Sequence, residues 1–408
     1  MSDPEYDIVI VGAGPSGAIA TLYAKRAGLS VCLTDKQTFP RDKICGDALS
    51  GKAVTILREL DLFDAIGDLP GAEIHTVTFG SPDNTRVDID LTRSSNQDYM
   101  TGFVIRREIL DNLLFTRAQQ VADTTIEGFT VRDVLKDGDT VCGVTGKTAS
   151  GETRSIRGKV VFGADGFNSI VARKLDLYSH DPDHWIVALR CYYKGVKGLT
   201  DQIELHYVDE VIPGYFWIFP LEEDYANVGI GMLHEHIKRE KIDLKVALAN
   251  VMKSQAFSPR FEDAEPMEEP VGWNLPAGSK HRKNHGNGFM LLGDAAGLID
   301  PFTGEGIGNA FYSAKFAVDA AKAAIHAGDV SEKSLSAYDK TLWNEIGDEL
   351  KVSSRLQKIG RSRTLLNLVI HKAERSQQIR DTIMGMMANE VPKKQLTNPL
   401  FYLKLLFS

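Results

Sequence analysis

The chain has 408 residues, 43% apolar and 25% charged, an average balance for a folded protein with a sizeable core, and its length suits a main domain with a second one inserted or appended. A formal net charge of −8 excludes the basic surface that a nucleic-acid partner needs, and Cys32, Cys45, Cys142 and Cys191 have neither zinc-ligand nor disulfide-framework spacing. No run of about 18 apolar residues occurs and the N-terminus enters a strand with no leader pattern, so a cytoplasmic setting is expected.

YDIVIVGAG reads as a buried parallel strand, PSGAIATLYAKRAG as the helix after it and SVCLTD as the second strand, a βαβ unit at the start. Gly12, Gly14 and Gly17 form GxGxxG between strand and helix, and Asp35 closes the second strand 18 residues after Gly17. Glycines let the backbone turn tightly and approach a pyrophosphate, the helix N-terminus meets its charge, and the acid accepts a hydrogen bond from a ribose hydroxyl. A merely structural turn would not require the acid, so the unit predicts a bound dinucleotide, with Lys36 assigned to the same site.

From Arg106, RREILDNLLFTRAQQVA has helical spacing; short alternating segments follow to about residue 160, and RGKVVFGADG returns to a buried strand. Between about 180 and 285, alternating segments (HWIVALRCYYKGV, QIELHYV, YANVGIGML) predict a separate antiparallel sheet. Within it GYFWIFP, residues 214–220, crowds Tyr215, Phe216, Trp217 and Phe219 into a chain only 8% aromatic. On its own residues this is either a core strand with a proline stop or the wall of an apolar pocket. His234 and His236 read as neighbours on one strand face or as a solvated loop pair; no third ligand is placed, so no metal site is predicted. GFMLLGDAAG is strand again, GIGNAFYSAKFAVDAAKAAI is a long helix, and after Ser331 the text is helical apart from a break at 389–399.

The expected fold is therefore α/β: a Rossmann-like dinucleotide-binding domain with a parallel sheet and helices, an inserted antiparallel-sheet substrate domain, and a helical C-terminal tail. The expected boundaries assign 1–75, 101–178 and 286–328 to the dinucleotide domain, 76–100 and 179–285 to the substrate domain, and 329–408 to the tail.

GADGFNSIVARK (163–174) and GDAAGLIDPFTGEGIGNA (293–310) resemble the second and third fingerprints of the flavoprotein monooxygenase and reductase superfamily, and Arg107 with Leu110 and Asp111 resembles its R-x-x-L/F-D segment. By that resemblance the dinucleotide is FAD: Asp294 hydrogen-bonds its ribityl chain, Asp165 stands behind the pyrophosphate loop, and Arg107 lies along the cofactor. Gly304, Gly306 and Gly308, with Ile307 among them, open the long helix, where bare backbone N–H groups can face the flavin ring and stabilise charge on its reduction. Asp294 has a plainer reading as a helix cap. No second GxGxxG occurs, so the electron donor is external, NAD(P)H bound transiently or a reduced ferredoxin-like carrier.

GYFWIFP further resembles the Y-x-F-W-x-F-P segment of the geranylgeranyl reductase family, and RDKICGD (41–47) resembles that family's K-x-C-G-G; with the fingerprints, the resemblance covers most of residues 5–325. It implies a polyprenyl chain lying in a tunnel beside the antiparallel sheet, held by Tyr215, Trp217 and Phe219, and hydride transfer from reduced flavin to isolated C=C bonds near Cys45 and Gly46. Cys45 is then a proton donor or a gate on flavin position, the gate being favoured because an unactivated alkene needs a stronger acid than a thiol; its plain reading is a small buried hydrophobe. Where the family has a second glycine, this chain has Asp47, which would bring a carboxyl close to the flavin.

Other classes stay open. A flavin-dependent halogenase shares the fold and carries a related W-x-W-x-I-P segment, with Lys43 the one lysine near the site; an aromatic-ring hydroxylase shares the fingerprints; a flavin electron carrier or lipid-binding module is a non-enzymatic reading. The tail segment KVSSRLQKIGRSRTLLNLVIHK combines Lys351, Arg355, Lys358, Arg361 and Arg363 with Leu356, Ile359, Leu365, Leu366, Leu368, Val369 and Ile370, and NPLFYLKLLFS ends the chain. It fits a helix pair packed on the sheet, or peripheral contact with the inner face of a membrane.

Overall fold

YDIVIV spans Tyr6–Val11 as a strand whose last four positions are buried, as a strand covered on both faces requires. In the computed structural model, which describes residues 6–178 and 184–388, it lies at the centre of a sheet. Val31–Thr34 pairs with it on one side and Thr153–Gly163 on the other, both parallel. The row continues parallel through Thr124–Ile126 at one end and Phe289–Leu291 at the other, where His285–Gly286 adds an antiparallel edge. A hairpin, Thr130–Asp137 with Thr140–Lys147, pairs antiparallel with the first half of Thr153–Gly163. Helices Pro15–Arg26 and Ile307–His326 pack together in the same core as this sheet. Both bury small residues, among them Ala18, Ala314, Ala317 and Ala321, which suits close approach of helices.

A second sheet runs in the order Glu265–Pro266, Trp185–Lys194, Tyr225–Leu233, Tyr215–Pro220, Gln202–His206, Thr76–Gly80, Arg86–Asp90, with Val271–Pro276 also paired to Trp185–Lys194. Every pair is antiparallel except Gln202–His206 with Thr76–Gly80, which is parallel. The pairs within 185–276 are all antiparallel, as expected; the parallel pair joins them to Thr76–Gly80, which enters from a distant stretch of chain, so no tight turn dictates its direction.

In Tyr215–Pro220 the two faces separate as period-2 geometry demands. Phe216 and Ile218 join the core under helix Leu244–Lys253, while Tyr215, Trp217 and Phe219 lie on the opposite face, packed with Ile74, Val77 and Val104.

The C-terminal helices Arg363–Arg375 and Gln377–Met387 cover the edge strand Arg86–Asp90. Leu366, Ile370 and Ile379 bury Val87 and Ile89, which alternate with exposed Arg86, Asp88 and Asp90. An edge strand left bare would invite pairing with another chain, and this cover removes that exposure. The apolar residues of the basic helix at Leu366 and Ile370 are thus in contact with the sheet. The C-terminal NPLFYLKLLFS and the break at 389–399 lie outside the described residues. Among the described residues no helix is long and apolar enough to cross a membrane.

Candidate functional site

The three glycines of the first loop are constrained differently. Gly12 has φ +100, and a β-carbon built on it would stand 2.4 Å from the Ala164 carbonyl oxygen. One on Gly17 would stand 1.8 Å from the Gly12 carbonyl oxygen, so both are required by the packing of the chain itself. Gly14, the N-cap of helix Pro15–Arg26, has an ordinary φ of −67 and only Arg41 Nη2 within reach, at 3.4 Å. What needs a bare Gly14 is therefore whatever occupies the crevice.

Asp35 accepts hydrogen bonds from the backbone N–H groups of Ala13 at 2.7 Å and Gln37 at 2.8 Å, which ties the second strand to the glycine loop; Lys36 is exposed at the rim. Asp165 accepts from Ser169 Oγ and from the N–H groups of Ile170 and Val171, capping the short helix Ile170–Lys174, and burial raises its pKa. Its Cα lies 2.9 Å from the β-carbon position of Gly12, directly behind the loop.

Arg107 is buried and grips Asp111 twice, Nε to Oδ1 at 2.7 Å and Nη2 to Oδ2 at 2.8 Å, while Arg41 reaches the same carboxylate at 2.6 Å. Burial alone would raise the Asp111 pKa; the two guanidiniums override it and hold the carboxyl below its usual range. Two cations share one anion, which leaves a net positive charge beside Gly14. Arg41, missed in the sequence, was signalled only by its place in the loop after the second strand.

Asp294 lies in the turn Gly293–Ala296 and borders the same cavity as the glycine loop. Its carboxylate caps no helix, since Leu292 holds the N-cap position of that turn, so the cap alternative is set aside. Gly306 is the N-cap of the 20-residue helix Ile307–His326, and its side holds no capping group. The Gly308 N–H is taken by Glu305 Oε1 at 2.7 Å, whereas nothing among the described residues accepts from Gly306 or Ile307 N–H. Two unengaged donors at the positive end of a long helix can bind an anionic group. Gly304, at φ +76, leaves room for Tyr215: a β-carbon there would stand 2.9 Å from the phenol oxygen, which donates to the Thr303 carbonyl at 2.6 Å.

The cysteine loop runs between these parts. Cys45 is half-buried, lines the cavity and lies against the Arg107 guanidinium. Gly46 backs onto Phe219, whose ring would be 3.3 Å from a β-carbon there. Asp47 has φ +67, a left-handed backbone that glycine adopts freely and aspartate tolerates. Asp47 borders the cavity with its carboxyl engaged within the protein: it is fully buried and Oδ2 accepts from Tyr192 Oη and Asn227 Nδ2, both at 2.8 Å. Oδ1 has no partner. Burial pushes this carboxyl up to about 6 against the pull of Asn227, Tyr192, Arg190 and Arg107. Lys43 Nζ sits 4.1 Å above the Trp273 ring, and burial brings its pKa down to about 8 although Asp294 opposes the fall.

A continuous cavity of about 750 Å³ connects these features. It runs from Gly14 and Asp35 past Asp294, Cys45 and the Gly304–Gly306 loop to an apolar end walled by Tyr215, Trp217 and Phe219, and on to Leu356, Met386 and Met387 of the C-terminal helices. The structure thus brings Gly12, Gly14, Asp35, Lys36, Arg107, Asp165, Asp294, Gly304, Gly306, Ile307, Cys45, Gly46 and the three aromatics to one cavity, with Gly17 behind the loop as packing. His234 and His236 are elsewhere and are neither strand nor loop: they open helix His234–Glu240, His234 against the Trp185 ring and His236 accepting from Arg239. Among the described residues no group of three or more His, Cys, Asp or Glu is placed to hold a metal.

Residues 5–341 match the FAD binding domain family. The chain is 32% identical over 353 residues to digeranylgeranylglycerophospholipid reductase 1 of Methanococcoides burtonii, covering 85% of this chain and 81% of that protein. A geranylgeranyl bacteriochlorophyll reductase-like protein from Thermoplasma acidophilum superposes with a TM-score of 0.83 at 24% identity, over 96% of this chain and 98% of the other. A flavin-dependent brominase superposes with a TM-score of 0.74 at 23% identity, over 94% and 93%; likeness at that level is of fold alone.

Proposed function

The chain belongs to the geranylgeranyl reductase family of FAD-dependent oxidoreductases, and from that premise we propose that it saturates C=C bonds in the polyprenyl chain of a lipid. One observation carries the choice of substrate: the cavity that includes the dinucleotide crevice also has an apolar end walled by Tyr215, Trp217 and Phe219 and bordered by Leu356, Met386 and Met387 of the C-terminal helices. An apolar wall of this kind suits a hydrocarbon chain.

The crevice fits FAD. Gly14 is bare on the cavity side, Arg41 and Arg107 carry an uncompensated positive charge beside it, and the Gly306 and Ile307 N–H groups are unengaged. We assign Gly14, Arg41 and Arg107 to the diphosphate, Asp35 to the adenosine ribose, Asp294 to the ribityl chain, and Gly306 with Ile307 to the ring. Reduced FAD, when bound, supplies a hydride. The chain's own part is to bind and orient: the aromatic strand excludes water from the alkene, Tyr215 joins that strand to the glycine loop through Thr303, and Cys45 stands between them.

The remaining assignments follow from this reading. With a single GxGxxG, the electron donor is external, NAD(P)H or a reduced ferredoxin-like carrier. The setting is cytoplasmic with peripheral contact to the inner membrane face, because a lipid chain must reach a cavity bordered by the basic C-terminal helices. Lipid extracts of cells with and without the protein, compared by mass, test the proposal: prenyl lipids should gain pairs of hydrogens when the protein is present, and identical extracts would overturn it.

A further inference from the structure

Asn227 sits on the strand next to the aromatic one and has no exposed surface. Its amide oxygen and both amide N–H groups are engaged. Oδ1 accepts from Trp217 Nε1 at 2.9 Å, and Nδ2 donates to the Cys45 carbonyl oxygen and to Asp47 Oδ2, each at 2.8 Å. The Asn227 amide therefore ties the indole of the aromatic wall to the backbone of the cysteine loop, across 182 residues of sequence.

Asp47 completes the clamp from the loop side. Its Oδ2 also accepts from Tyr192 Oη, its carbonyl accepts from the Ile105 N–H at 3.1 Å, and its left-handed backbone turns the chain back from Gly46, which rests on Phe219. Asp47 borders the cavity but its side chain has no exposed surface, and Asn227 is equally sealed and does not line the cavity.

We propose that Asn227 and Asp47 are positioning residues: together they clamp the Cys45 backbone to the aromatic strand and so fix the thiol at the junction between dinucleotide crevice and apolar passage. The inference rests on the site assigned above but not on the identity of the substrate. A half-satisfied polar pair in this place costs stability, since Asp47 Oδ1 is buried without a partner. Retaining it makes sense where a fixed loop geometry is what the site requires.

The test is iodoacetamide labelling of the full chain, with Cys45 and Cys142 peptides followed by mass spectrometry. Cys142, half-buried in the distant hairpin beside Arg157, is the internal reference. Asn227→Ala and Asp47→Gly should raise the Cys45 rate relative to Cys142 by about tenfold or more, since they remove three and two side-chain hydrogen bonds and one alone is worth about that factor. Asp47→Asn, whose amide oxygen can still accept from Tyr192 and Asn227, should stay within about threefold of the parent. Glycine suits the left-handed position, so Asp47→Gly remains informative if Asn227→Ala fails to fold. Equal Cys45 rates in all variants, or a parallel rise at Cys45 and Cys142, would overturn the proposal. Because labelling needs no turnover, a chain without prenyl reductase activity would leave this result readable.

Discussion

Gly14 and Arg41 face each other across open space: a β-carbon on Gly14 would stand 3.4 Å from Arg41 Nη2 with nothing else within 4 Å. Gly14→Glu is therefore expected to fold yet to lose FAD, because its carboxylate would occupy the diphosphate position. The measurement is flavin absorbance after gel filtration, with thermal unfolding compared against flavin-free parent, since bound ligand itself stabilises. Gly12→Ala should behave oppositely in kind, lowering stability through its φ of +100 and the Ala164 carbonyl whether or not FAD is present. A Gly14→Glu protein that keeps its flavin would remove Gly14 from the site.

Cys45→Ser is expected to keep FAD and to lower alkene reduction by about tenfold or more, less than the full loss of a positioned acid because serine keeps the small polar group in place. Single-turnover reduction of a prenyl lipid, followed by mass, gives the rate. Unchanged turnover would return Cys45 to a packing role.

The elements at the dinucleotide end were legible because their signals are local. The glycine spacing, the acid after the second strand and the alternation in Tyr215–Pro220 each sit within a few residues of what they determine. Arg41, Tyr192 and Asn227 were not legible, because their roles depend on partners such as Asp111 and Asp47 that lie 70 to 180 residues away. Periodicity says which face a residue takes and nothing about which strand comes next. Asp47 shows the same limit: its sequence position predicted a carboxyl beside the cavity, which it borders, while its bonds to Tyr192 and Asn227 were not readable. His234 was misread since YANVGIGML runs into it without a breaker, yet the strand ends at Leu233.

Asp47 also sets a pH dependence. Its folded pKa, about 6, is above the ordinary 3.8, so its contribution to stability is fully present below about 3.8 and is lost as pH rises through about 6. The groups facing it are Tyr192 and Arg190 on one strand, Asn227 on the next, Arg107 from the helix Arg107–Val121, and Cys45 in its own loop. The rise from 3.8 to about 6 corresponds to about 3 kcal/mol. Asp47→Asn removes this term and keeps a residue that tolerates the left-handed backbone. Its stability relative to the parent should therefore improve by about 2 kcal/mol between pH 4 and pH 7 in urea unfolding, part of the full change having already occurred at pH 4. A difference that stays flat across that window would mean that the carboxyl titrates normally.

The aromatic strand makes a prediction about substrate length. Tyr215, nearest the glycine loop, bonds to Thr303, and Trp217 and Phe219 continue the same wall, so a prenyl chain reacting at the loop must lie along them. Each methylene removed from water there is worth about 0.8 kcal/mol, and affinity should climb with chain length until the passage is full. Trp217→Ala removes the middle of the wall and should weaken long substrates more than short ones, flattening the length dependence. It also costs the fold about 3 to 5 kcal/mol as a core truncation and frees Asn227 Oδ1, so Trp217→Phe is the companion variant: it loses the same indole N–H and part of the ring volume but keeps an apolar ring in the wall. Phenylalanine should preserve the rise of affinity with length; alanine should not. The experiment is anaerobic reduction of a length series of prenyl lipids by dithionite-reduced enzyme, scored by gain of hydrogen pairs. Equal affinity for short and long chains in the parent would remove the tunnel. If no prenyl lipid of any length is reduced, while an aromatic compound is hydroxylated or halogenated in air, the apolar passage serves a different flavoenzyme chemistry.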